Sequence, residues 1–131
     1  GQSGNLGCQA LAVMLRGMTL GELRGMGVAR LVIKEGTLGL LNGAVTGALA
    51  GAAMYWVVAR DGGSDALLLG LITLGAMSLS CMVAGLAGSM IPLVLKRLGA
   101  DPATASSIFL TTMTDVVSMG SFLGLVTWLV L

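Results

Sequence analysis

PATASSIFLTTMTDVVSMGSFLGLVTWLVL, residues Pro102 to Leu131, is the stretch whose reading decides the fold, because its 30 residues carry one charge, Asp115. A helix of this length would be about 45 Å long at 1.5 Å per residue, more than the hydrocarbon thickness of a bilayer. It reads as a transmembrane helix. Asp115 lies 13 residues from the first residue and 16 from the last, about 20 Å from one end and about 24 Å from the other. A carboxylate near mid-membrane costs several kcal/mol unless it faces water, a partner or an ion. Asp115 is a functional candidate for that reason.

The whole chain agrees with this stretch. With 56% hydrophobic residues, 10% charged residues and a mean hydropathy of +0.96, it is far more apolar than a soluble domain, in which about 25% of residues are charged. An all-α integral membrane protein is the fold class this composition demands. A net charge of +1, one Tyr and two Trp leave neither a basic footprint nor a stacking surface for nucleic acid. The chain contains no histidine, which removes the commonest metal ligand and the commonest general base. Gly1-Gln2-Ser3-Gly4 matches the serine-protease box of rhomboids by letter, but Ser3 has no base to activate it. Intramembrane aspartyl proteolysis needs two carboxylates, and Asp115 has no second acid at its depth. No enzyme activity is expected. Cys8 and Cys81 lack metal or disulfide spacing and read as small apolar packing residues.

Outward from the last helix, Asp101-Pro102 supplies an N-cap acid and a proline at the first helical position, and Lys96-Arg97-Leu98-Gly99 a basic helix exit. Residues 66–97 form another span, with Ser78, Cys81, Gly85, Gly88 and Ser89 on a small-residue face and Pro92 near its end. Upstream of the polar loop Arg60 to Asp65, residues 31–59 form a span with Gly39, Gly43, Gly47 and Gly51 every four residues. This is a helix-packing stripe that lets backbones approach in lipid, and Tyr55 and Trp56 suit the membrane interface. Residues 18–30 read as a cytoplasmic interfacial segment, with Thr19 and Glu22 spaced as a capping box. Residues 1–17 read as the end of a partial, glycine-rich pore helix; Gly1 to Gln9 resemble an unwound piece whose amides and free carbonyls could face an ion, with an ordinary glycine-rich loop or close helix packing as the alternative. The absence of an initial Met predicts a piece of a longer protein. The chain is therefore a helical bundle of about three full spans plus a partial one. Basic residues count four, one and two in successive loops, which places the first and third loops inside and the C-terminus on the outer side.

On the last helix Ser107, Thr111, Asp115 and Ser118 share one face, continued by Phe122. A lone carboxylate among hydroxyls is an oxygen-only environment, suited to a hard cation such as Mg²⁺. Mg²⁺ keeps much of its water, so one or two carboxylates suffice, and a symmetric dimer would supply two. The residues leave other readings open. Asp115 could instead titrate in a proton- or Na⁺-coupled secondary transporter, or it could pair with a neighbouring helix in a non-conducting assembly subunit.

Five motifs carry a family resemblance: SGNLGCQ at 3–9, Leu15-Arg16-Gly17, Lys34-Glu35 entering the glycine-rich span, PLVLKRLGADPA at 92–103, and Thr111-Thr112-Met113-Thr114-Asp115. In order and spacing this set resembles the membrane domain of the MgtE-type magnesium channels and transporters. The resemblance implies a five-helix homodimeric domain of the inner (plasma) membrane, of which this chain holds the end of the second helix and the third to fifth. The first helix and the cytosolic sensor domains would lie outside it. It further implies that hydrated Mg²⁺ is the bound and transported ion, in a pore on the dimer axis. Asp115 would be its selecting carboxylate, Thr111, Ser118 and Asn5 further ion contacts, and Gly4, Gly7, Gln9 and Ser107 the pore lining. Two departures stand out: Ser3 where many members carry Gly, and Cys8 where some carry Asn.

Overall fold

The computed structural model describes residues 1–24 and 27–130. Residues 25 and 26 of the expected interfacial segment, and Leu131, lie outside the described residues. Four α-helices follow one another: α1 Gln2–Thr19, α2 Val28–Arg60, α3 Ala66–Arg97 and α4 Pro102–Leu129. A 3₁₀ turn, Glu22–Arg24, lies between α1 and α2. The last three are long and apolar enough to cross a membrane, and their outer faces suit lipid: Leu49 is 71% and Trp128 81% exposed.

Local signals account for where these helices stop. Gly62 and Gly99 follow α2 and α3 with φ of 77° and 79°, a backbone that glycine adopts without strain. Asp101 caps α4 by accepting from the Ala103 backbone N–H at 3.1 Å, with Pro102 next to it in the first turn. Thr104 Oγ1 donates to the same carboxylate. These two hydrogen bonds, Thr104 first, hold the Asp101 carboxyl below its ordinary value of 3.8.

Two sequence expectations are corrected. The opening residues are not unwound: Gln2 onward is regular helix, so the carbonyls expected to be free serve the helix's own ladder. Glycine lowers helix propensity, but neighbouring helices stabilise a segment whose small residues let them approach. Nor does Thr19 begin a helix. It lies at the end of α1 and donates to Leu15 O (3.2 Å) and Arg16 O (2.9 Å), so it closes the helix before it and does not open the 3₁₀ turn after it.

Helix α3 is the hub of the bundle, packing against α2 on one side and against α1 and α4 on the other. The α2–α3 seam is antiparallel, with Gly36, Gly39, Gly43, Gly47 and Gly51 of α2 facing Leu86, Cys81, Ser78, Leu74 and Gly70 in turn. At Gly39 a Cβ would collide with the Cys81 carbonyl, and at Gly43 it would lie 2.7 Å from Ser78 Cα. The stripe therefore fits by backbone-to-backbone approach. On the other side Leu11, Ala87 and Leu110 form the core where α1, α3 and α4 meet, with Leu15 and Ile91 packed on it. There Gly88 of α3 sits against Gly7 O and Ala10.

Candidate functional site

Helices α1 and α4 run antiparallel. Ser3 and Ser118 share a hydrogen bond of 2.7 Å, a Cβ on Gly4 would meet Thr114 Oγ1 at 3.9 Å, and one on Gly7 would meet Leu110 at 2.9 Å. Outside the seam each helix carries exposed polar residues, and those of α4, at i, i+4 and i+8, share one face. On α1 they are Asn5 and Gln9, with Cys8 between them in sequence, all exposed; on α4 they are Ser107, Thr111 and Asp115, also exposed. Asn5 follows the glycine that touches Thr114, and Asp115 follows Thr114.

Other expected site residues have different places. Gly4 is half-buried in the seam with room for a Cβ, and Gly7 is buried against Leu110 at a position of close approach. Ser118 is half-buried and tied to Ser3. The four glycines at 39, 43, 47 and 51 lie in the α2–α3 seam, away from this face.

The hydroxyls on this face have a defined polarity. Thr111 Oγ1 donates to Ser107 O at 3.0 Å and to Ile108 O at 3.2 Å, and Thr112 Oγ1 donates to Ile108 O at 3.0 Å. A hydroxyl whose proton is committed to its own helix presents oxygen lone pairs outward. Thr111 and Asp115, one turn apart, thus offer acceptors alone, which suits a hydrated cation whose waters are donors. Among the described residues no group of three or more His, Cys, Asp or Glu gathers. Asp115 is the one acid of α4, so the face contributes a single negative charge.

Sequence reading did not single out Ser80, Ser121 or Thr114. Ser80 and Ser121 join α3 to α4 at 3.2 Å, and the buried Thr114 donates to Thr111 O at 3.0 Å. Ser80–Ser121 and Ser3–Ser118 tie α4 to α3 and α1, whereas the Thr114 bond stays within α4. A small polar residue in an apolar span is the signal for such interhelical contacts, but which serine finds which partner depends on register.

The profile of the MgtE family, described as divalent cation transporter, matches residues 1–125. The magnesium transporter MgtE of Enterococcus faecalis is 39% identical over 119 residues, covering 91% of this chain and 25% of that protein. Those of Bacillus subtilis and Thermus thermophilus are each 32% identical, covering 97% and 95% of this chain and 27% and 26% of their own length. The chain thus spans about a quarter of the curated relatives it matches. No solved structure matches the chain significantly.

Proposed function

The chain belongs to the MgtE family of divalent cation transporters, and from that premise we propose that it forms part of a Mg²⁺ pathway through the membrane, with Asp115 as the ion-selecting carboxylate. The observation that carries this reading is the exposure of Asp115 on a helix able to span the bilayer. A charge at that depth is stable only against water, an ion or another chain. A homodimer that apposes two α1–α4 faces supplies the second carboxylate, encloses the face in water and makes the pathway axial.

In this arrangement the two Asp115 carboxylates bind Mg²⁺ through its retained waters, while Thr111 and Asn5 accept from or orient those waters. Mg²⁺ dehydrates reluctantly, so a site that reads the hydrated ion avoids that cost. Ser118 and Ser3 hold the two helices in register. Gly4, Gly7, Gln9 and Ser107 shape the wall beside the ion. An inside-negative potential drives entry, worth about 4.6 kcal/mol for a divalent ion per 100 mV. The protein acts as a transporter of the inner (plasma) membrane and not as an enzyme, its C-terminus on the outer side, with sensor domains elsewhere in the full-length protein setting when the pathway opens.

Calorimetry of Mg²⁺ binding to the purified chain in detergent, beside Asp115→Asn and with Ca²⁺ and Na⁺ as competitors, tests the reading. Saturable binding at about one ion per two chains, lost in Asp115→Asn, is the expected result. Binding that survives the substitution removes Asp115 from the mechanism. Flux that changes steeply with pH near neutrality would make Asp115 a proton-coupling group instead.

A further inference from the structure

Six of the seven basic residues, Arg16, Arg24, Arg30, Lys34, Lys96 and Arg97, lie toward the end of the bundle where α1 and α3 finish and α2 and α4 begin. Three acids share that end, Glu22, Glu35 and Asp101, and Glu35 is buried. The opposite end has Arg60 with Asp61 and Asp65. Arg30, Lys34, Lys96 and Arg97 are all exposed, so the surface at the first end is strongly cationic.

Two apolar grooves open at the same end, one on each side of α3. The groove between α2 and α3 holds about 460 Å³ and is walled by Val28, Ala29, Val32, Met90 and Val94, with Arg97 closing its lining. The groove between α3 and α4 holds about 560 Å³ and runs along Val83, Leu86, Met90, Val94 and Leu98 to Phe109. Met90 and Val94 line both. Spaced four and then three residues apart, Met90, Val94 and Arg97 stand on one face of α3, as a ridge between two grooves with a guanidinium at its outer end.

We propose that this ridge is a binding site for one anionic diacyl phospholipid, with one acyl chain in each groove and the phosphate against Arg97, in the attractive field of Arg30 and Lys34. The dimensions fit. From Arg97 to Met90 is about 10 Å along the helix and from Leu98 to Val83 about 22 Å, bracketing the roughly 15 Å of one leaflet's hydrocarbon. The charge pattern selects the occupant. Basic pockets between membrane helices attract anionic headgroups. A second copy of the chain, related by a twofold axis along the membrane normal, would bring its own cationic end to the same level and meet like charge. A headgroup neutralises these cations and leaves them at the interface. The lipid would steady the junction of α2, α3 and α4, and through α4 the helix that carries Asp115.

Native mass spectrometry of the purified chain, equilibrated with equal amounts of dioleoyl phosphatidylglycerol and dioleoyl phosphatidylcholine, tests the site. Preferential retention of phosphatidylglycerol is the expected result, falling about fivefold when one charge is removed in Arg97→Gln. Arg97→Lys and Arg60→Gln should keep the preference, the first because charge is conserved and the second because it lies at the other end. Ala29→Trp, which fills one groove with every charge intact, should lower retention of both lipids. Asp115→Asn should leave the preference unchanged, which separates this inference from the ion site. Equal retention of the two lipids by the unaltered chain overturns the proposal without recourse to any variant. A photoreactive residue in place of Val94 that captures a second protein chain in preference to lipid overturns it as well, because the grooves are then a protein interface.

Discussion

The α2–α3 seam and the α1–α4 seam are both built from small residues, yet they do opposite things. Along α2–α3 five glycines of one helix meet the other almost backbone to backbone, and among the described residues the side-chain hydrogen bonds close to that seam are local, such as Thr46 to Asn42 O and Ser78 to Leu74 O. Along α1–α4 the glycines are fewer, contact is made partly by hydroxyls, and a polar face is left open beside it. Close packing without polar groups gives a rigid brace. Looser packing with hydroxyl contacts gives a surface whose polar atoms are aimed and unspent. The comparison teaches that a glycine stripe and a glycine-amide motif, similar in composition, separate scaffold from site by what lies beside the glycines.

The largest effect should come from breaking the brace. Gly39→Leu drives a branched side chain into the Cys81 backbone, which cannot yield as a side chain can, so a loss of about 3 kcal/mol or more is expected. Thermal unfolding in detergent, followed by circular dichroism, would show it as a lowered midpoint. Gly4→Ala serves as its counterpart in the other seam, where a Cβ has ordinary contact distance, and should leave the midpoint almost unchanged.

The next effect is on binding, without loss of fold. Because both copies lose their carboxylate, Asp115→Asn should weaken Mg²⁺ binding by about a hundredfold or more, enough to remove saturable binding from the titration, while the unfolding midpoint stays within error. If the midpoint falls as well, Asp115 belongs to the scaffold and the contrast between the two seams collapses.

Smaller effects sharpen the role of the hydroxyls. Ser3→Ala and Ser118→Ala should each destabilise by about 0.6 kcal/mol, the average for interhelical hydrogen bonds in membranes, and a double-mutant cycle should return most of that as coupling. Ser106 is buried, and its hydroxyl has no partner among the described residues. Ser106→Ala should therefore be neutral or raise stability by up to about 1 kcal/mol.

The smallest effect concerns the cap of α4. The Asp101 carboxyl has a folded pKa below its ordinary 3.8, so the charged cap contributes stability that is present above that value and is lost as pH falls through the folded pKa. Amide exchange in the first turn of α4 should quicken over that acid range, and the dependence should vanish in Asp101→Asn. Near neutral pH no change is expected.

Much of this molecule was legible in its residues. Long apolar runs mark spans over 31–59, 66–97 and 102–131, and the helices Val28–Arg60, Ala66–Arg97 and Pro102–Leu129 follow them to within a few residues, because a bilayer rewards helices of that length and polarity. Asp101-Pro102 determines where α4 begins, since a cap and a proline act within one turn. The spacing of Gly39 to Gly51 determines a packing stripe, and the lone acid of α4 marks a candidate site by its cost in lipid. The register between helices could not be read there. Glycines suggested an unwound opening segment, and the tertiary structure made it helix because α3 and α4 pack along it. Nothing local distinguishes Ser118, tied to Ser3, from Ser107, left open, or seats Met90 and Val94 between two grooves. Those outcomes depend on which helices meet and at what height, and that is decided by the summed packing of side chains far apart in the chain.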